Sequence, residues 1–99
     1  MNNLESSQRA AALLGVLANE SRIHILSLLL QSEWDVSSLA RELKMSQSAL
    51  SQHLKKMRDL ELVSTRRVAQ TVYYSCQHEG VAKVLAALEA IYRVRATAA

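Results

Sequence analysis

Proline is absent from this chain of 99 residues, glycine occurs twice (Gly15, Gly80) and cysteine once (Cys76). Without prolines and with so few glycines there is no flexible linker, and no repeat or low-complexity run marks an internal boundary. A lone cysteine excludes an intrachain disulfide and any all-cysteine metal cage within one protomer. Long apolar runs are missing too. Residues 25–30, interrupted by Ser27, fall far short of the ~20 residues that span a bilayer. Residues 1–7 hold neither the basic nor the apolar stretch that directs secretion, so the expected location is the cytoplasm. What is present, 49% hydrophobic and 21% charged, suits one small soluble domain over 1–99. A chain of this length buries roughly 65% of its unfolded surface, enough for a single modest core.

The formal charge of +3 is unevenly placed. Residues 41–67 hold seven cations (Arg41, Lys44, Lys55, Lys56, Arg58, Arg66, Arg67) against three anions (Glu42, Asp59, Glu61). The rest of the chain is slightly acidic. A basic middle third is the pattern of a surface that meets a polyanion, although a solvated helix face can carry the same charge.

Helical periodicity dominates the chain. Residues 4–17 place Leu13, Leu14 and Leu17 on one side. Asn19 reads as the N-cap of a second helix, with Ile23, Leu26 and Leu30 on a common face and Ile25 and Leu29 beside them. Asp35 can cap a third helix, 35–43, bearing Leu39, Ala40 and Leu43. Ser46 can cap a fourth, 46–60. Residues 62–76 then change period. Val63, Thr65, Val68, Thr71, Val72, Tyr73 and Tyr74 supply the β-branched and aromatic density of strands, with a turn near 68–70. No glycine or asparagine provides the usual hairpin turn there. Helical pattern returns over 79–95. The expected fold is mainly α with one small β-hairpin: a winged helix-turn-helix with an extra helix at each end.

The fourth helix is the informative one. Leu50, Leu54 and Met57, at i, i+4 and i+7, form a stripe to bury. Ser48, Ser51, Gln52 and Lys55 fall opposite. Small hydroxyls and an amide stand where long charged side chains usually stand, so a partner can approach the backbone closely. Serine and glutamine can read base edges in the major groove. Lys55, Lys56 and Arg58 would meet phosphate, and the helix start at Ser46 and Gln47 presents free amides that suit phosphate too. Helix 35–43, the short turn through Lys44 and Met45, and the fourth helix have helix-turn-helix spacing. Arg66 and Arg67, near the hairpin tip, fit a wing on phosphate or in the minor groove.

Four strings carry a family resemblance: residues 17–26 (LANESRIHIL), 39–43 (LAREL), 46–54 (SQSALSQHL) and 70–74 (QTVYY). Over about residues 10–93 the chain resembles the ArsR/SmtB family of bacterial transcriptional regulators, in particular its NolR and HlyU branch. That resemblance implies a homodimer whose fourth helices enter successive major grooves of a palindromic operator. By position it makes Gln47, Ser48, Ser51 and Gln52 the base-contacting set, with Lys55 and the wing arginines on the DNA backbone. His53 lies nearer the core stripe and is expected to pack or to hydrogen-bond phosphate.

Metal-sensing relatives carry ligands that this chain lacks. Their third-helix cysteines fall on Asp35 and Ser37, and their last-helix ligands on His78, Gly80, Ile91 and Val94, a single donor among four. The alternative set Cys76, His78 and Glu89 is out of register. No metal and no cofactor are expected. The dithiol positions of redox-responsive relatives fall on Ser27 and Arg93, which leaves Cys76 as a small packed residue. The last helix carries Val81, Val84, Leu85, Leu88, Ile91 and Tyr92, a stripe wider than one small core needs. Together with Leu13, Leu14 and Leu17 of the first helix, and with Gly15 permitting close approach, Leu85, Leu88, Ile91 and Tyr92 are expected to pair with a second copy. Three scattered histidines and no Gly-rich loop exclude a recognisable nucleophile–base pair or phosphate cradle, so an enzyme is not expected. The expected activity is repression by occupying a promoter. Three alternatives stand beside it: an activator that displaces a silencing protein, a repressor switched through Cys76, and a winged helix used only for protein contact.

Overall fold

Every helix begins on a short polar or histidine side chain that closes over its first turn. The computed structural model describes residues 3–92. In α1 (Leu4–Leu17) the Asn3 side chain accepts from the Ser6 amide at 2.7 Å. Asn19 does the same for Arg22 at 3.0 Å in α2 (Glu20–Gln31). Asp35 accepts from the Ser38 amide at 3.1 Å in α3 (Val36–Leu43), and Ser46 from the Ala49 amide at 3.1 Å in α4 (Gln47–Asp59). At α5 (Glu79–Tyr92) the acceptor is His78 Nδ1, 3.1 Å from the Val81 amide. Each bond satisfies an amide that the helix itself cannot, worth about 1 kcal/mol. The sequence pattern named Asn19, Asp35 and Ser46 but neither Asn3 nor His78. The expected continuation of the last helix to 95, with Arg93 and Val94, lies outside the described residues.

Turns that glycine would normally make are made without it. Lys44 sits at φ 57°, and its amide closes back on Ala40 and Arg41 while Met45 donates to the Ala40 carbonyl at 3.0 Å. Glu61 at φ 60° follows α4, and Ala69 at φ 56° turns the hairpin. Left-handed backbone costs an L-residue roughly 1–2 kcal/mol, so the surrounding packing and hydrogen bonds must hold these three in place. The hairpin joins β2 (Ser64–Val68) to β3 (Thr71–Ser75), with Val68 opposite Thr71 across Ala69 and Gln70. A third strand, β1 (Trp34–Asp35), adds to the far side of β3 and pairs Trp34 with Tyr74 and Asp35 with Tyr73. Two residues carry no readable alternation, which is why the sequence pattern showed only a cap at this point.

The core gathers on α2, which meets α1, α5 and β3. Ile25, Leu26 and Leu29 are fully buried, joined by Val16 and Leu17, Leu39 and Ala40, Leu50, Leu54 and Met57, then Leu62, Val63, Cys76 and Val81. This corrects the α2 face read from periodicity. Ile23 and Leu30 are only half-buried, because a helix packed on several sides centres its buried stripe where its neighbours converge. The Cys76 amide donates to the Leu29 carbonyl at 3.0 Å and ties the end of β3 to α2. α1 and α2 meet at 95°. Among the described residues, no single helix is long and apolar enough to cross a membrane.

Candidate nucleic-acid interface

α4 is pinned along one side and open along the other. Leu50, Leu54 and Met57 reach the core, while Gln47, Ser48, Ser51, Gln52, Lys55, Lys56 and Arg58 are all exposed. The α3–α4 turn sets the helix across α3, and Gln47 Nε2 donates to Ser37 Oγ at 3.1 Å between them. Gln47 is thus partly committed to holding the two helices together. Ser48, Ser51 and Gln52 form no side-chain hydrogen bond among the described residues, so their donors and acceptors face solvent.

The cations are held in different ways. Lys55 pairs with Asp59 one turn on at 3.1 Å, both largely exposed, a contact that salt screens readily. Lys56 and Arg58 lie in the last turn of α4, where positive charge suits the helix dipole. Between α4 and the hairpin runs a cleft of about 290 Å³ lined by Ser51, Lys55, Arg58, Asp59 and Tyr74. Sequence reasoning counted Tyr74 as strand-forming and as part of the string 70–74, with no role at the site. Its place beside three candidate DNA-binding residues comes from the way β3 lies against α4.

The wing divides its two arginines. Arg66 stands opposite Tyr73 and Arg67 opposite Val72, and consecutive strand residues point to opposite faces. Arg66 is engaged within the chain. Its Nε and Nη2 donate to both Glu33 carboxylate oxygens at 2.8 and 2.7 Å, and its guanidinium lies 5.5 Å from the Tyr73 ring centre. Hydrogen bonding from Arg66 lowers the Glu33 pKa, and Glu33 raises that of Arg66. Arg67 is exposed and forms no ion pair among the described residues. The strand alternates the two arginines expected on the wing, and a carboxylate from before β1 holds one of them.

His53 settles into packing. Arg22 Nε donates to His53 Nδ1 at 3.4 Å, and Arg22 Nη1 to the Val16 carbonyl at 2.9 Å. One guanidinium therefore links the ends of α1 and α2 to the middle of α4. Burial first, and the nearby Arg22 charge second, lower the His53 pKa, which favours the neutral ring that accepts from Arg22.

The residues expected to meet a second copy also divide. Leu14, Ile91 and Tyr92 are 55%, 67% and 74% exposed, well beyond what the chain's own core covers. Leu13 and Leu85 pack against the core edge, and Leu88 is half-buried. Leu17 is corrected: at 3% exposure it belongs to the core and offers a mate almost nothing. A Cβ on Gly15 would meet no atom within 4 Å in the single chain.

At the positions of the relatives' ligands, other work is done. Hydrogen bonds from Ser38 hold the Asp35 carboxyl below its ordinary value in its capping role, and Ser37 accepts from Gln47. Cys76, His78 and Glu89 do not come together as a set. Burial pushes the Cys76 thiol up, away from the thiolate that redox chemistry requires. Ser27 is half-buried in α2, while Arg93 and Val94 lie outside the described residues.

Comparison with known proteins agrees with this geometry. A family described as "Bacterial regulatory protein, arsR family" matches residues 19–65. The nodulation protein NolR of Rhizobium meliloti is 50% identical over 88 residues, 89% of this chain and 72% of that one. The transcriptional activator HlyU of Vibrio cholerae is 43% identical over 88 residues, 89% of this chain and 82% of its own length. The crystal structure of NolR from Sinorhizobium fredii superposes with a TM-score of 0.87 at 46% identity, covering 96% of this chain and 100% of that one. A homodimeric winged helix-turn-helix DNA-binding domain from Mycobacterium bovis gives a TM-score of 0.78 at 27% identity, over 94% and 88% of the two chains. By its fold and by its likeness to these regulators, the chain belongs to the ArsR family of bacterial regulatory proteins.

Proposed function

We propose that this chain is a transcriptional regulator that binds double-stranded DNA as a homodimer and represses a promoter by occupying it. The observation that carries the reading is the open side of α4. There Ser48, Ser51 and Gln52 offer uncommitted hydrogen-bonding groups on short side chains, with Lys55, Lys56 and Arg58 alongside. In this reading Ser48, Ser51 and Gln52 read base edges, with Gln47 at the helix start. Lys55, Lys56, Arg58 and Arg67 hold phosphate, and Arg66 joins them when Glu33 releases it. Leu14, Ile91 and Tyr92, with Leu13, Leu85 and Leu88 behind them, form the seam with the second copy. A twofold axis through that seam sets the two α4 helices about 34 Å apart, one turn of DNA. The regulators it resembles are not enzymes, and the work proposed here is binding, carried out in the cytoplasm where promoters lie.

Activation by displacing a silencing protein is the second reading, favoured by the likeness to a transcriptional activator. It uses the same DNA contacts and reverses only the effect on transcription. Selection of binding sites from random duplexes, followed by footprinting, tests the shared part. An inverted repeat with half-sites one helical turn apart is expected, and recovery of no sequence preference would overturn it. Transcription from a promoter bearing the recovered site, with and without the protein, then separates repression from activation.

A further inference from the structure

A second cleft, of about 530 Å³, lies between α1, the segment that leaves α4, and the start of α5. Clefts of about 300–1,000 Å³ are the size range of small-molecule sites. Its floor is apolar, built from Leu13, Val16 and Leu62, while Ser6, Arg9 and His78 supply its polar groups. Those polar groups are arranged to donate. Among the described residues, Arg9 takes part in no ion pair and no carboxylate lines the cleft. His78 Nδ1 is occupied by the Val81 amide at 3.1 Å, which puts the proton of the neutral ring on Nε2 as a donor. Gly80 lets this ring fold back over the start of α5, since a Cβ there would come 2.9 Å from His78 Cε1.

We propose that this cleft binds a small amphipathic carboxylate, its anionic head on Arg9, His78 and Ser6 and its aliphatic tail over Leu13, Val16 and Leu62. The complementarity is double: the polar rim has donors and a positive charge without a competing acid, and the floor has no polar group to leave unpaired. The site shares no residue with the DNA contacts on α4 and shares Leu13 with the proposed seam, so its failure leaves the DNA reading untouched.

Sodium octanoate and octylamine, with equal tails and opposite heads, are the probes, titrated into the 99-residue protein without DNA and followed by amide NMR. Octanoate is expected to shift and saturate residues 6–16, 60–62 and 78 with a Kd of about 1 mM or tighter, and octylamine to leave them unmoved. Arg9→Gln, at an exposed position, is expected to raise the octanoate Kd about tenfold with an unchanged melting curve, the loss of one charge-assisted hydrogen bond. His78→Asn keeps a capping oxygen for α5 and removes the Nε2 donor, and a weaker Kd is expected there too. Equal binding of both probes, or an Arg9→Gln protein that binds octanoate as before, would overturn the proposal. So would an octanoate response that vanishes as protein concentration rises, because the occupant would then be a second copy of the chain.

Discussion

Arg66 of the wing is clamped by Glu33, two hydrogen bonds at 2.8 and 2.7 Å joining residues 33 apart in the chain. A carboxylate so placed competes with phosphate for the same guanidinium. Glu33→Gln is therefore expected to tighten DNA binding about 3- to 10-fold at low salt and to steepen the salt dependence, since each freed arginine adds about 0.9 to the slope of log K against log salt. Fluorescence anisotropy across a salt series measures both. Weaker binding by this variant would mean instead that Glu33 positions Arg66 for DNA. The pair is exposed enough that the melting temperature should hardly move.

Gln52→Ala and Ser51→Ala are expected to reduce the preference for the selected site over random DNA by about 1–3 kcal/mol per lost base contact. Lys56→Ala should weaken both kinds of DNA about equally. If two protomers neutralise about eight phosphates, log K falls with log salt at a slope near −7. A slope flatter than about −2 contradicts the phosphate contacts, and equal losses on specific and random DNA for Gln52→Ala contradict its reading role.

His53 should make stability pH-dependent. Its pKa in the folded chain is lowered, by burial first and by Arg22 second, so between that value and the ordinary 6.5 the unfolded chain binds more protons. The contribution is fully present above about 6.5 and lost as pH falls through the folded value. Thermal melts from pH 8 to 5 should show the wild type losing more stability on acidification than His53→Gln, which has no titrating group there. Parallel curves for the two proteins would refute the coupling of Arg22 to a neutral ring.

Leu14 and Leu17 lie on one helix but should fail differently. Leu14→Glu is expected to leave the melting curve of the protomer near normal and to shift the mass in solution from dimer toward monomer. Leu17→Ala should cost about 2–5 kcal/mol of folding stability, because it empties part of the core. Analytical ultracentrifugation and chemical denaturation separate the two outcomes. A Leu14→Glu protein that stays dimeric moves the seam elsewhere.

Much of α4 was legible before any coordinates. Ser46 as its cap, Leu50, Leu54 and Met57 as its buried stripe, and the serine–glutamine side opposite all follow from helical periodicity and end chemistry, which act within a few residues. The wing was legible as a hairpin but not in detail. Its turn uses Ala69 at positive φ where sequence reasoning looks for glycine or asparagine, and that conformation is imposed by the pairing of Val68 with Thr71.

Local chemistry in the sequence alone determined where α2, α3 and α4 start, which side of α4 is buried and which side is left exposed. Packing decided the rest. Glu33 reaches Arg66, Arg22 bridges Val16 and His53, two residues at Trp34–Asp35 become a strand, and Leu17 parts company with Leu14. Each of these depends on distant segments meeting at a particular angle and register, and periodicity along one helix or strand does not encode how that element lies against another.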